Sequence, residues 1–172
     1  MSVAQASSPT RWGWHRLEPH AARHVVARAG ICDGDLVVDL GAGTGALTAA
    51  LVEAGARVVA IELHPARVAA LRERFADAPV TVVRADVSRA RLPRRPFRVV
   101  ANPPWALAET VRADLLRAPA LVRADLVLPR WLVRRWAARY RTIEVGASLR
   151  AESFVPAAPT GAAVAVMRGP SR

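Results

Sequence analysis

The chain has 172 residues, 52% of them hydrophobic, with 25 basic against 14 acidic side chains and a formal net charge of +11. That length suits one domain with one core, no apolar run reaches the length of a membrane span, and the single Cys32 excludes an internal disulfide. Every one of the 25 cations is arginine; codon usage explains the missing lysine but not the charge, so the expected partner is a polyanion, nucleic acid before an anionic membrane.

Residues 1–10, rich in Ser and Gln, read as a flexible tail without the apolar stretch of a signal peptide. One domain is expected over 11–172. The absence of a leader and the lone Cys32, read as a small buried hydrophobe, suit a reduced cytoplasmic setting. His20 and His24 stand four apart on a helix, the spacing of a metal pair, but no third ligand or H-E-x-x-H context accompanies them. Apolar, β-branched runs at 35–40, 56–63, 80–86, 97–103 and 124–129 predict five strands. Helical stretches at 45–55, 64–75, 106–117 and 130–140 separate them, with Pro65 in the first turn of the second. Runs at 143–150 and 162–168 lie too close for an intervening helix and should pair as an antiparallel hairpin. The expected fold is α/β and Rossmann-like, a mostly parallel seven-stranded sheet with helices on both faces.

In such sheets ligands sit at the carboxyl ends of the strands. After the first strand comes "DLGAGTG", with Asp39, Gly41, Gly43 and Gly45. Its glycines let the backbone pass close to a ligand, whereas the preceding acid disfavours a pyrophosphate. A plain tight turn would leave the same glycines. Glu62 ends the second strand, where a carboxylate can accept from both hydroxyls of a ribose; a solvated acid at a helix start is the alternative. Asp86 ends the third strand, where it can accept from the exocyclic amine of adenine or simply open a turn with Ser88. Together these strand ends describe an adenosyl pocket without a phosphate cradle, that of S-adenosylmethionine.

The fourth strand runs into "VVANPPW". Two prolines stop any helix or ladder and stiffen the turn, displaying Asn102 and Trp105 over the same cleft. An exocyclic amine is a poor nucleophile because its lone pair is delocalised into the ring. The Asn102 side-chain oxygen and the Pro103 carbonyl can each accept one of its N–H groups, and Trp105 offers a face for the base, worth roughly 1–3 kcal/mol.

The set "DLGAGTG", "IEL", "RAD" and "NPPW" resembles the motifs of class I methyltransferases. It is similar to those of the ribosomal RNA adenine-N6 methyltransferases, both the Erm macrolide-resistance methylases and the small-subunit dimethyladenosine transferases. "WGWHRL", "VVANPP", "ADLVL" and a terminal strand ending in Arg168 look most like short actinobacterial Erm proteins, over about residues 11–168. The resemblance implies S-adenosylmethionine contacts at His15, Leu17, Gly41, Ala42, Gly43, Glu62, Leu63, Asp86, Val87 and Asn102, and amine binding by Asn102, Pro103, Pro104 and Trp105. It further implies methylation in the peptidyl-transferase loop of 23S rRNA, on free or partly assembled large subunits, by a monomer that confers macrolide resistance. Three departures stand out. Trp14, His15, Arg16 and Leu17 occupy the place of the family's Gln-Asn-Phe-Leu, Trp105 that of a Phe or Tyr, and the chain ends before the usual C-terminal helical domain.

"LPRWLVRRWAARYR" interleaves Arg130, Arg134, Arg135 and Arg139 with Trp131, Trp136 and Tyr140. Arginine forks suit phosphates and the aromatics can stack on unpaired bases; equally, the tryptophans face inward and the arginines are solvated. Arg89, Arg91, Arg94 and Arg95 border the cleft or form a solvated loop. The rival readings are an N-methyltransferase of another amine and a non-catalytic RNA-binding module.

Overall fold

The computed structural model describes residues 15–170; the expected tail over 1–10 and the tryptophans of "WGW" lie outside the described residues. The apolar runs form strands β2 (Leu36–Leu40), β3 (Arg57–Glu62), β4 (Val80–Arg84), β5 (Phe97–Ala101) and β6 (Leu121–Pro129), all parallel. The central runs are rich in Val, Leu and Ala on both faces because helices cover both faces. Helices α1 (Pro19–Ala29), α2 (Ala46–Glu53) and α3 (Pro65–Arg74) pack on one face, against Val37, Val58, Ala60 and Val100. On the other face α4 (Ala108–Arg117) and α5 (Arg130–Arg139) cover Val38, Phe97, Val99 and Leu126.

The strand order is β4-β3-β2-β5-β6-β9-β7, with β7 at Ile143–Leu149 and β9 at Ala162–Arg168. The expected antiparallel hairpin is present, and β9 also pairs antiparallel with β6. Since β6 and β7 both oppose β9, they run the same way, and α5 is the crossover that leaves a gap for β9 to fill. The order reverses between β2 and β5, and these two strands carry the glycine loop and Asn102.

A two-stranded ribbon escapes the sequence reading. β1 (Arg16–Leu17) pairs antiparallel with β8 (Phe154–Val155), Leu17 opposite Phe154. Two residues are too few to show a period, yet this ribbon ties the amino-terminal segment over the strand ends. Cys32 is exposed rather than buried, in the turn after α1, where its N–H donates to the Asp35 carboxylate at 3.0 Å. The loop at 90–96 crosses the α4 face, and Arg94 lines a hollow with Asp114, Arg117 and Pro119 near the end of α4. That end is opposite the strand tips, which corrects the expectation that Arg94 and Arg95 border the cleft.

Candidate functional site

The carboxyl ends of β2, β3, β4 and β5 open into a cleft of about 780 Å³ and a smaller cavity beside it. Gly41 lines both. Its φ of +78° suits glycine, and a Cβ there would stand 3.2 Å from Pro104 Cδ, so the glycine lets the tips of β2 and β5 meet. Ala42 and Gly43 continue the wall of the smaller cavity, together with Leu17, Thr44 and Asn102.

Glu62 is 5% exposed and fully engaged from the protein side. One carboxylate oxygen accepts from the Gly43 N–H at 2.8 Å and the other from the His64 N–H at 2.8 Å, with Arg67 Nη1 3.8 Å from the latter oxygen. Each oxygen keeps a lone pair for a ligand hydroxyl, and Glu62, Leu63 and Asp86 line the cleft. Both Ser88 donors, backbone N–H at 2.8 Å and hydroxyl at 2.7 Å, bond one Asp86 oxygen. They hold its carboxyl below the ordinary range. The turn-opening and ligand-facing readings of Asp86 are therefore compatible. Val87, Pro104, Trp105 and Leu107 make the apolar walls.

Asp39 is 1% exposed and accepts from the Thr48 hydroxyl at 2.7 Å. Burial pushes it up to about 7; the Thr48 bond offsets part of that rise and the nearby Glu62 adds to it.

Asn102 Nδ2 donates to the His15 carbonyl at 2.7 Å. This fixes the amide so that Oδ1 is the end left to accept, with Asn102 in the lining of the smaller cavity. His15 thus acts through its backbone, which a sequence motif does not reveal; its ring lies 5.5 Å from that of Trp105 and lines the cleft. Trp105 also meets Phe154 edge-on at 6.2 Å. Pro103 is buried and lines neither cavity, so the main chain is all it can offer.

The four arginines of α5 divide. Arg130 is tied down: its N–H donates to the Gly161 carbonyl at 3.1 Å, Nη2 to the Leu149 carbonyl at 3.3 Å, and Nε is buried. Its guanidinium is thus partly engaged by the fold. Arg134 and Arg139 are exposed, and Arg135 stands 3.7 Å from Glu109. Trp131 is 59% exposed, whereas Trp136 is buried and donates to Glu109 at 2.8 Å.

Over residues 17–154 the chain matches the family model described as ribosomal RNA adenine dimethylase. Ribosomal RNA small subunit methyltransferase A of Leifsonia xyli is 38% identical over 120 residues, 65% of this chain and 42% of that one. An rRNA adenine N-6-methyltransferase of Bacillus licheniformis is 29% identical over 140 residues, 79% of this chain and 49% of that one. The matched region is thus less than half of either relative. The crystal structure of 23S rRNA methyltransferase ErmE is similar in fold, with a TM-score of 0.82 at 23% identity over 91% of this chain and 70% of that one.

Proposed function

Because the chain belongs to the ribosomal RNA adenine dimethylase family, we propose that it methylates N6 of an unpaired adenine in ribosomal RNA, using S-adenosylmethionine. We place the target in the peptidyl-transferase loop of 23S rRNA. The observation that carries the reading is the 2.7 Å bond from Asn102 to the His15 carbonyl, which leaves the amide oxygen as an acceptor at the tip of β5.

The residues fit the cofactor. Glu62 presents acceptors for ribose hydroxyls, Asp86 an acceptor for the adenine amine, and Leu63, Val87 and Leu107 apolar walls, in a cleft without a phosphate loop. When bound, S-adenosylmethionine supplies a methyl group on a cationic sulfur. Asn102 Oδ1 and the Pro103 carbonyl accept the two N–H groups of the target amine, favouring a pyramidal nitrogen with its lone pair released from the ring. Trp105 carries the base on its face. Positioning and fixed dipoles do most of the catalysis, and an unpaired adenine costs least to bring in.

The large-subunit target rests on the likeness of the "WGWHRL", "VVANPP" and "ADLVL" segments to Erm proteins; alignment to the adenine N-6-methyltransferase over 79% of the chain supports an rRNA adenine as substrate. The higher identity to the small-subunit enzyme favours a second reading, an adenine of 16S rRNA. We further propose a single cytoplasmic domain acting as a monomer on free or partly assembled large subunits, since the loop is enclosed in a finished one. Expression in a macrolide-susceptible bacterium, followed by mass spectrometry of both rRNAs, tests this. N6-methyladenine should rise in the 23S loop, macrolide tolerance should rise with it, and Asn102→Ala should remove both. A gain confined to 16S rRNA would move the target to the small subunit; no gain in either rRNA would refute the rRNA reading.

A further inference from the structure

Three arginines line one trough beside the reaction cavity. Arg16 of β1, Arg23 of α1 and Arg74 at the end of α3 line a trough of about 220 Å³ laid along α2. Ala46, Ala49 and Ala50 also line it, leaving room above the helix, and Glu53 is the acid in its lining. Among the described residues no ion pair joins these three arginines to a carboxylate, whereas Arg98, Arg112, Arg117, Arg123, Arg135 and Arg168 each face one. Arg74 is held in place by donating to the Thr44 carbonyl at 2.7 Å. Like charges gathered on three separate elements repel one another, and an anion between them reverses the sign.

We propose that this trough binds a phosphodiester group of the substrate RNA close to the target adenine. The inference rests on the RNA reading above. Arg16, Leu17, Thr44 and Ala46 line both the trough and the cavity that holds Asn102, so a strand seated along α2 continues into the site. Arginine forks match phosphate oxygens in pairs. The cofactor's carboxylate is the other anion within reach, but the trough leads away from Asn102 down α2 to Glu53, and Arg23 is exposed. A run of phosphates suits that path better than one carboxylate near the sulfur.

The test uses the full chain and a short fluorescein-labelled single-stranded RNA, with anisotropy read across a salt titration. Arg23→Glu should weaken RNA binding about tenfold at low salt and reduce the slope of log affinity against log salt by about one. Arg23→Ala should act in the same direction, more weakly. Affinity for S-adenosylhomocysteine, measured by calorimetry, should stay unchanged in both, which also verifies that the variants fold. Unchanged RNA affinity and slope in both variants would overturn the proposal. So would a loss of S-adenosylhomocysteine affinity with RNA binding retained, which would assign the arginines to the cofactor's carboxylate. Methyl transfer to rRNA by the unaltered protein is measured separately. Its failure would refute the enzymatic reading, while the binding titration still decides the trough.

Discussion

Asn102 has one acceptor oxygen and an amide nitrogen that donates, and the His15 carbonyl takes a donor at 2.7 Å. A carboxylate cannot make that bond and would face the carbonyl with like partial charge. Asn102→Asp should therefore lose methyl transfer as fully as Asn102→Ala, with cofactor affinity largely kept in the alanine variant. Transfer from labelled S-adenosylmethionine and calorimetry with S-adenosylhomocysteine check the two halves; an active Asp variant would remove the amide from the mechanism. Asp39 carries a second expectation. Its ordinary value is 3.8, and burial lifts it to about 7 in the fold. Between those values the folded chain holds a proton that the unfolded chain has released. Its contribution to stability is thus complete below the unfolded value and is lost as pH rises through about 7. Melting temperatures across that range should fall for the unaltered protein relative to Asp39→Asn, and parallel curves would contradict the shift.

Helix α5 shows how one element serves two neighbourhoods. Leu132, Val133 and Trp136 are buried against the sheet and α4, and Trp136 also donates to Glu109 while Arg112 stacks 5.6 Å from its ring. Trp131 stands free on the other side. Truncating a packed tryptophan leaves a cavity and an unsatisfied partner, so Trp136→Ala should cost about 3–5 kcal/mol in denaturant unfolding. Trp131→Ala should stay within about 0.5 kcal/mol. Equal losses would mean that the helix is rotated from the position described. The interleaved Arg and Trp pattern left both arrangements open, because a basic helix on a core and a basic helix on RNA have similar periodicity. Packing places Trp136 in the core, leaves Trp131 exposed and engages Arg130 through the Gly161 and Leu149 carbonyls.

At the scale of the whole molecule, local chemistry in the sequence already determined the sheet strands, the helices between them and the positions of Gly41, Glu62, Asp86 and Asn102 at strand ends. Apolar β-branched runs bounded by Gly, Pro and acids specify strands and their termini without help from distant residues, and a parallel sheet brings those termini to one edge. What needed the tertiary structure was every relation between segments far apart in sequence. The β1–β8 pairing joins residues 16 and 155 through two-residue strands too short to carry a pattern. β9 lies between β6 and β7 because the α5 crossover leaves that gap. The His15 carbonyl reaches Asn102 through a main-chain atom that any residue possesses. Arg16, Arg23 and Arg74 are far apart in sequence and share one trough only because three elements meet over α2. The sequence by itself determined which chemical groups stand at the strand tips, since their spacing along each segment is local. Only the fold decided which of them are oriented, neutralised or left facing an open cavity, because orientation and charge balance depend on neighbours that chain order does not reveal.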